Sequence, residues 1–295
     1  MRFLFVDRIL ELSPHVVRGL KHVSSDDFFL TLDDEGKPCF TPSLIGESIG
    51  QLAAWSIMAH NNFSARPVAG VVARACMHRP VHLGETLWLE AVIESVDEVA
   101  ISYRGNAWVG EQLVFAIDGA LGPLLPMIDF IQVDEVQRQF NEIYRPGLWP
   151  ALRTVVKSSI SIEHNSHNSY SMVYDKIINS MPGVSLVAEK YISRSAPYFP
   201  DHFPHKPVLP MTVLLECNLN LAREFIRQAG YSQAYQICEL RRIKMSEFVR
   251  PGDIVVTVVG LKSYQDDQLI LSFRSEVDGK RVCVVDVVMV VKGSD

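Results

Sequence analysis

The chain contains the same pattern twice. FVDRILELSP, starting at Phe5, and VYDKIINSMP, starting at Val173, share an apolar or aromatic start, an Asp, a basic residue, an Ile and a closing Pro, 168 positions apart. Lys21-His22-Val23-Ser24 then matches Lys190-Tyr191-Ile192-Ser193 at a spacing of 169. Further on, Arg74-Ala75-Cys76-Met77 matches Arg242-Ile243-Lys244-Met245, Leu83-Gly84-Glu85 matches Pro251-Gly252-Asp253, and Ile101-Ser102-Tyr103-Arg104 matches Leu271-Ser272-Phe273-Arg274. One such match is easily accidental. A conserved order at near-constant spacing implies an internal duplication, so the chain folds as two copies of one unit.

Each copy reads in the same coarse order: a short helix or turn, a strand, a loop, a long apolar helix, then several strands. From Pro42 to about His60, the residues Leu44, Ile45, Ile49, Leu52, Ala53 and Ile57 recur at three- and four-residue intervals and mark a helix. Thr212 to about Arg227 does the same with Leu214, Leu215, Leu219, Leu221 and Phe225. Pro42 and Pro210 stand at or just before these starts, where a missing backbone donor costs least. Beyond the helices the period changes to that of strands: TLWLEAVIESV, VAISYRGNAWV and EQLVFAIDGAL in the first copy, DIVVTVVGLKS, LILSFRSEV and KRVCVVDVVMVVK in the second.

This pattern predicts an α+β protein in which two antiparallel sheets each wrap a long central helix and pair edge to edge, covering exposed strand edges. The expected division is residues 1–120, a linker over 121–165 with a short helix in DEVQRQFNEIY, and residues 166–295. With 295 residues, 48 % of them hydrophobic, each half can bury its own core. The net charge of -6 argues against a general nucleic-acid binder. The five cysteines lack metal-site or disulfide-framework spacing and read as buried thiols of a reducing compartment. MRFLFVDRILEL is interrupted by Asp7 and Arg8, and no apolar run reaches spanning length, so the expectation is a soluble, cytoplasmic protein without a membrane span.

The sharpest motif is Tyr198-Phe199-Pro200-Asp201-His202-Phe203-Pro204, followed by Pro207-Val208-Leu209-Pro210 and a helix bearing Glu216. It resembles the 3-hydroxyacyl-acyl-carrier-protein dehydratases of hot-dog fold, which carry a histidine in a GHFPG-like loop, then PVMPG, then a helix acid fourteen positions after the histidine. LFVDRILEL, RPVHLGE and FVRPGD also resemble that family, so the likeness touches most of both halves. It implies a double hot-dog forming an internal pseudo-dimer, with any further homo-oligomer left open. In the first copy Asp33 stands where His202 stands in the second, while Glu47 keeps the helix-acid place of Glu216.

In family dimers the histidine of one unit meets the acid of its neighbour. Carried onto this chain, His202 would face Glu47 in a working site and Asp33 would face Glu216 in a degenerate one. The implied reaction is reversible dehydration of a 3-hydroxyacyl thioester, with His202 taking the C2 proton and Glu47 protonating the leaving hydroxyl. A backbone donor at one helix start, in Pro42-Ser43 or, by preference, at Met211 in Met211-Thr212, would steady charge on the thioester oxygen. No metal, nicotinamide or flavin is implied, and the expected partner is a substrate borne on acyl carrier protein or coenzyme A.

The motif also departs from the family. His205 and Met211 replace glycines where thioester access matters, which points to a narrowed pocket or altered substrate preference. Two other readings therefore stay open: a hot-dog thioesterase, and a non-catalytic acyl-binding or scaffold protein. The basic stretch of Arg241, Arg242, Lys244 and Arg250 reads either as a guide for an acidic carrier or as an ordinary solvated strand and turn.

Overall fold

The computed structural model describes residues 2–148, 170–231, 234–265 and 267–293. Residues 149–165 of the expected linker and 166–169 at the start of the expected second unit lie outside the described residues.

The first half builds six strands of one sheet: β1 (Arg8–Leu12), β2 (Val16–His22), β6 (Val71–Met77), β7 (Thr86–Val96), β8 (Ala100–Val109) and β9 (Gln112–Pro126). It adds a small hairpin, β3 (Leu30–Leu32) with β4 (Pro38–Phe40), a short strand β5 (Ala65–Pro67), and helix α1 (Pro42–His60). A single 3₁₀ turn (Met127–Asp129) and helix α2 (Val133–Ile143) follow. The second half repeats the six sheet strands and the long helix as β10 (Lys176–Met181), β11 (Ser185–Tyr191), helix α3 (Met211–Ala229), β12 (Tyr235–Met245), β13 (Ile254–Gln265), β14 (Gln268–Val277) and β15 (Lys280–Val291).

The strand order gives the duplication its physical form. In the first half it runs β1-β2-β7-β8-β9-β6, and in the second β10-β11-β13-β14-β15-β12, the same path element for element. The halves join where β6 pairs antiparallel with β12, Arg74 opposite Arg241 and Val72 opposite Ile243. Each half thus covers an edge of the other, and one continuous sheet results.

Both long helices are buried as their periodicity requires. Leu44, Ile49, Leu52 and Ala53 of α1 and Val213, Leu214, Leu219 and Ala222 of α3 are wholly shielded from solvent. Each buried Leu or Ile stabilises by about 1.5–3 kcal/mol. Ser48, Trp55 and Met58 are buried as well, so α1 is enclosed well beyond one stripe, as a helix wrapped by a sheet must be. The wrapping brings strand and helix close: a Cβ at Gly105 of β8 would run into the Ile49 side chain and stand 2.9 Å from the Glu90 carbonyl oxygen. Among the described residues no helix is long and apolar enough to cross a membrane.

Two expectations change. The opening segment of each half is a strand, β1 or β10, and not a short helix or turn. Runs this short cannot hold an isolated helix, whereas pairing with β2 or β11 satisfies their backbone groups. The connection also starts later than residue 121, because β9 continues to Pro126. Pro123 is tolerated there because the ladder uses its carbonyl, which accepts from the Val68 amide at 3.0 Å. Beyond it α2 packs against the first half, with the Phe140 ring 6.1 Å from Trp55 and 5.5 Å from Phe63.

Candidate active site

Helices α1 and α3 present their first turns to each other across the junction of the halves. One cavity of about 180 Å³ opens beside them, and His202, Glu47 and Met211 all line it. Its walls are otherwise largely apolar and come from both halves: Phe115 and Ile117 from β9, Leu215 from α3, Ile243 from β12. The connecting segment contributes too, through Ile131, Val136 and Gln139.

His202 sits in the loop before α3. Its Nδ1 lies 2.9 Å from the Val208 carbonyl oxygen, which can only accept, so Nδ1 carries the proton and Nε2 is left as the basic nitrogen. The imidazole stacks on Phe203 at 4.1 Å and meets the edge of Phe3 at 5.9 Å. Burial pushes its pKa down to about 4, with the nearby Arg66 cation adding to the shift against the Val208 bond. At neutral pH the ring is an uncharged base.

Glu47 belongs to α1 and is held from both halves. Gln51, one turn on, donates to its Oε1 at 3.0 Å, and Thr212 Oγ1 of α3 donates to its Oε2 at 2.8 Å. Burial raises its pKa above the ordinary carboxylate range, against the opposing influence of Gln51, Thr212 and Arg66. A carboxyl with this shift can hold and release a proton closer to neutrality. The N-terminal segment braces both groups: Gln51 accepts from the Phe5 amide at 2.8 Å, and Asp201, beside His202, accepts from the Phe3 amide at 2.7 Å. Met211 is the first residue of α3, so its amide lies among those with no acceptor inside the helix.

The second carboxylate site is built differently. Glu216 is 2 % exposed and accepts from the Ser43 amide at 3.2 Å, with Arg223 at 3.9 Å. Burial raises its pKa too, against Arg223 and Ser43. Asp33 makes no hydrogen bond to Glu216 among the described residues. Its Oδ2 lies 2.8 Å from His82 Nε2, and its Oδ1 accepts from the amides of Glu35 at 2.9 Å and Lys37 at 2.8 Å. Burial works against the charge on Asp33, but these three donors together hold its pKa below the usual value.

One further expectation is revised. His205 is exposed and does not narrow the cavity; its amide donates to the Phe130 carbonyl at 2.9 Å and docks the loop on the connecting segment. Met211 does line the cavity. The basic stretch is partly neutralised, Arg241 by Glu239 at 2.9 Å and Arg242 by Asp286 through two bonds of 2.7 Å. His82, Thr212 as a partner of Glu47, and Arg66, a cation of β5 in the cavity wall, are not among the site residues to which the motifs point.

Residues 179–285 match the model of the ApeI-like family, described as ApeI dehydratase. The 3-hydroxyacyl-[acyl-carrier-protein] dehydratase FabZ of Lactiplantibacillus plantarum is 26 % identical over 136 residues, 43 % of this chain and 89 % of that protein. Among solved structures, the dehydratase domain of PpsC from Mycobacterium tuberculosis, in complex with C12:1-CoA, superposes with a TM-score of 0.54 at 11 % identity, over 97 % of this chain and 98 % of that one. An acyl-ACP thioesterase from Bacteroides thetaiotaomicron gives 0.53 at 11 % identity, over 93 % and 97 %. The chain is a hot-dog fold protein. Its two hot-dog units are fused end to end, and the cavity described above lies at their junction.

Proposed function

We propose that this double hot-dog protein dehydrates 3-hydroxyacyl thioesters reversibly, on acyl chains borne by acyl carrier protein or coenzyme A. The observation that carries this reading is the placement of His202 and Glu47, from different halves, on one largely apolar cavity. His202 Nε2, fixed by the Nδ1–Val208 bond, takes the C2 proton, and Glu47 gives its proton to the departing C3 hydroxyl; hydration runs the same steps backwards. The first-turn amides of α3 beside Met211 steady the enolate-like oxygen. The likeness to dehydratases supports lyase chemistry over thioester hydrolysis.

The test is a panel of 3-hydroxyacyl and trans-2-enoyl thioesters, followed for water exchange across C2–C3 and for thiol release. His202→Ala and Glu47→Gln should each lower the rate of water exchange by about 10²–10⁴-fold while leaving the melting transition sharp. Thiol release without water exchange would establish the thioesterase reading instead. Binding with neither reaction would leave an acyl-binding protein.

A further inference from the structure

Arg66 takes and gives no proton in that chemistry, yet it is the one cation in the cavity wall among the described residues. Its strand is held firmly: Arg66 pairs with Leu125 of β9, and the next residues continue the ladder through Pro67 and Val68. The guanidinium carbon lies 3.8 Å from the Phe203 ring centroid and 5.6 Å from that of Phe130. Phe203 in turn stacks on His202, which places the cation beside the reacting end of the cavity.

The other charged groups of the wall are compensated. Asp201 is paired with Arg2 at 2.9 Å and with the Phe3 amide. Glu47 has two donors of its own and acts on Arg66 only through space. Arg66 has no hydrogen bond or ion pair to any described residue, and its Nε is shut away from solvent without an acceptor. Burial pulls its pKa down to about 10, which still leaves it fully charged at neutral pH. A guanidinium with no hydrogen-bond acceptor in an apolar enclosure costs desolvation energy, and Glu47 at a distance and the aromatic faces return only part of it. A planar fork of donors in such a place is matched best by a carboxylate, which accepts two parallel bonds.

We propose that Arg66 makes this cavity selective for acyl chains carrying a carboxylate, which it holds while the thioester lies between His202 and Glu47. This deepens the reading of the cavity as an acyl-thioester site and rests on it. The substrate class is then a half-thioester of a dicarboxylic acid, and a neutral chain of equal length fits less well.

The experiment measures binding of inert thioether analogues to the full chain by calorimetry, in a series of increasing chain length. Each length is prepared with a terminal carboxylate and as its methyl ester. At the length that brings the carboxylate to Arg66 it should bind about 10- to 100-fold more tightly than the ester. Arg66→Met should bring that ratio close to one, and Arg66→Lys should keep part of it, because the charge remains while the fork is lost. Ester binding by Arg66→Met reports that the variant is folded. If that variant does not fold, the wild-type ratio and Arg66→Lys decide the question. A wild-type ratio near or below one at every length overturns the proposal, as does a ratio that survives in Arg66→Met. Because the analogues do not react, selective binding with no water exchange on any thioester would sink the dehydration reading and leave the carboxylate selectivity standing.

Discussion

Glu47 and Glu216 occupy matching places on α1 and α3, and each is held by the first turn of the opposite helix. One carboxyl looks into a cavity; the other is sealed at 2 % exposure. The loops that precede the two helices differ as well. In the second half that loop carries His202 and leaves its ring on the cavity wall. In the first half the equivalent stretch closes into the β3–β4 hairpin, whose Cys39 and Phe40 are fully buried. Asp33 makes that hairpin: its side chain caps the Glu35 and Lys37 amides across a turn that Gly36 completes at φ 77°. The residue standing where a base would be is thus a turn former that also fixes His82. With two units in one chain, the first half supplies Glu47 to the cavity although it carries no histidine at this place.

The largest expected effect breaks the symmetry directly. His202→Ala and Glu47→Gln should remove most turnover, whereas Asp33→Asn and Glu216→Gln should stay within about threefold of wild type, since neither touches the cavity's reacting groups. Steady-state rates on the best 3-hydroxyacyl thioester give the comparison. Equal losses in all four folded variants would mean that both sites work.

The pH profile sharpens the same contrast. The proposed dehydration needs His202 neutral and Glu47 protonated. Activity should therefore rise as pH climbs through about 4, where His202 loses its proton, and fall again as pH passes the raised pKa of Glu47. The residual rate of Glu47→Gln should lose the alkaline limb and keep the acid one. An alkaline limb that persists in Glu47→Gln assigns that limb to another group. Glu216→Gln should leave both limbs in place.

Much of this arrangement was legible in the residues. The repeat fixed two units, and the helices and long strands follow from period alone: Thr86–Val96 is the segment that alternation marks, and the apolar stripe of α1 is the set that the sheet buries. The cross-half pairing of His202 with Glu47 was an expectation from family likeness, and the two residues do line one cavity. What stayed hidden depends on contacts distant in sequence. Val136 and Gln139 of the connecting segment read as linker, because nothing local says that α2 will pack on α1 and close the cavity. His82 stands in a turn that gives no sign of its bond to Asp33, 49 positions earlier. Arg66 left one faint trace: at the repeat spacing it is matched by Ala234 or Tyr235 and not by a cation. An asymmetry between copies is where a duplicated chain has room to specialise.

The smallest effect tests how each carboxyl is held. Thr212 reaches Glu47 with its side-chain hydroxyl, whereas Ser43 reaches Glu216 with its backbone amide. Thr212→Val therefore deletes the donor, and Ser43→Ala keeps it. Loss of one hydrogen bond to a carboxyl is worth about 0.5–1.5 kcal/mol, so Thr212→Val should slow turnover by roughly three- to tenfold. The hydroxyl favours the ionised carboxylate, so its removal raises the Glu47 pKa further and moves the alkaline limb to higher pH. Ser43→Ala should leave the profile unmoved and change stability by no more than about 1 kcal/mol. A shift of the alkaline limb in Ser43→Ala as large as that in Thr212→Val would show that the two carboxyls titrate as one linked pair across the α1–α3 contact, and the division into an open and a sealed site would then have to be redrawn.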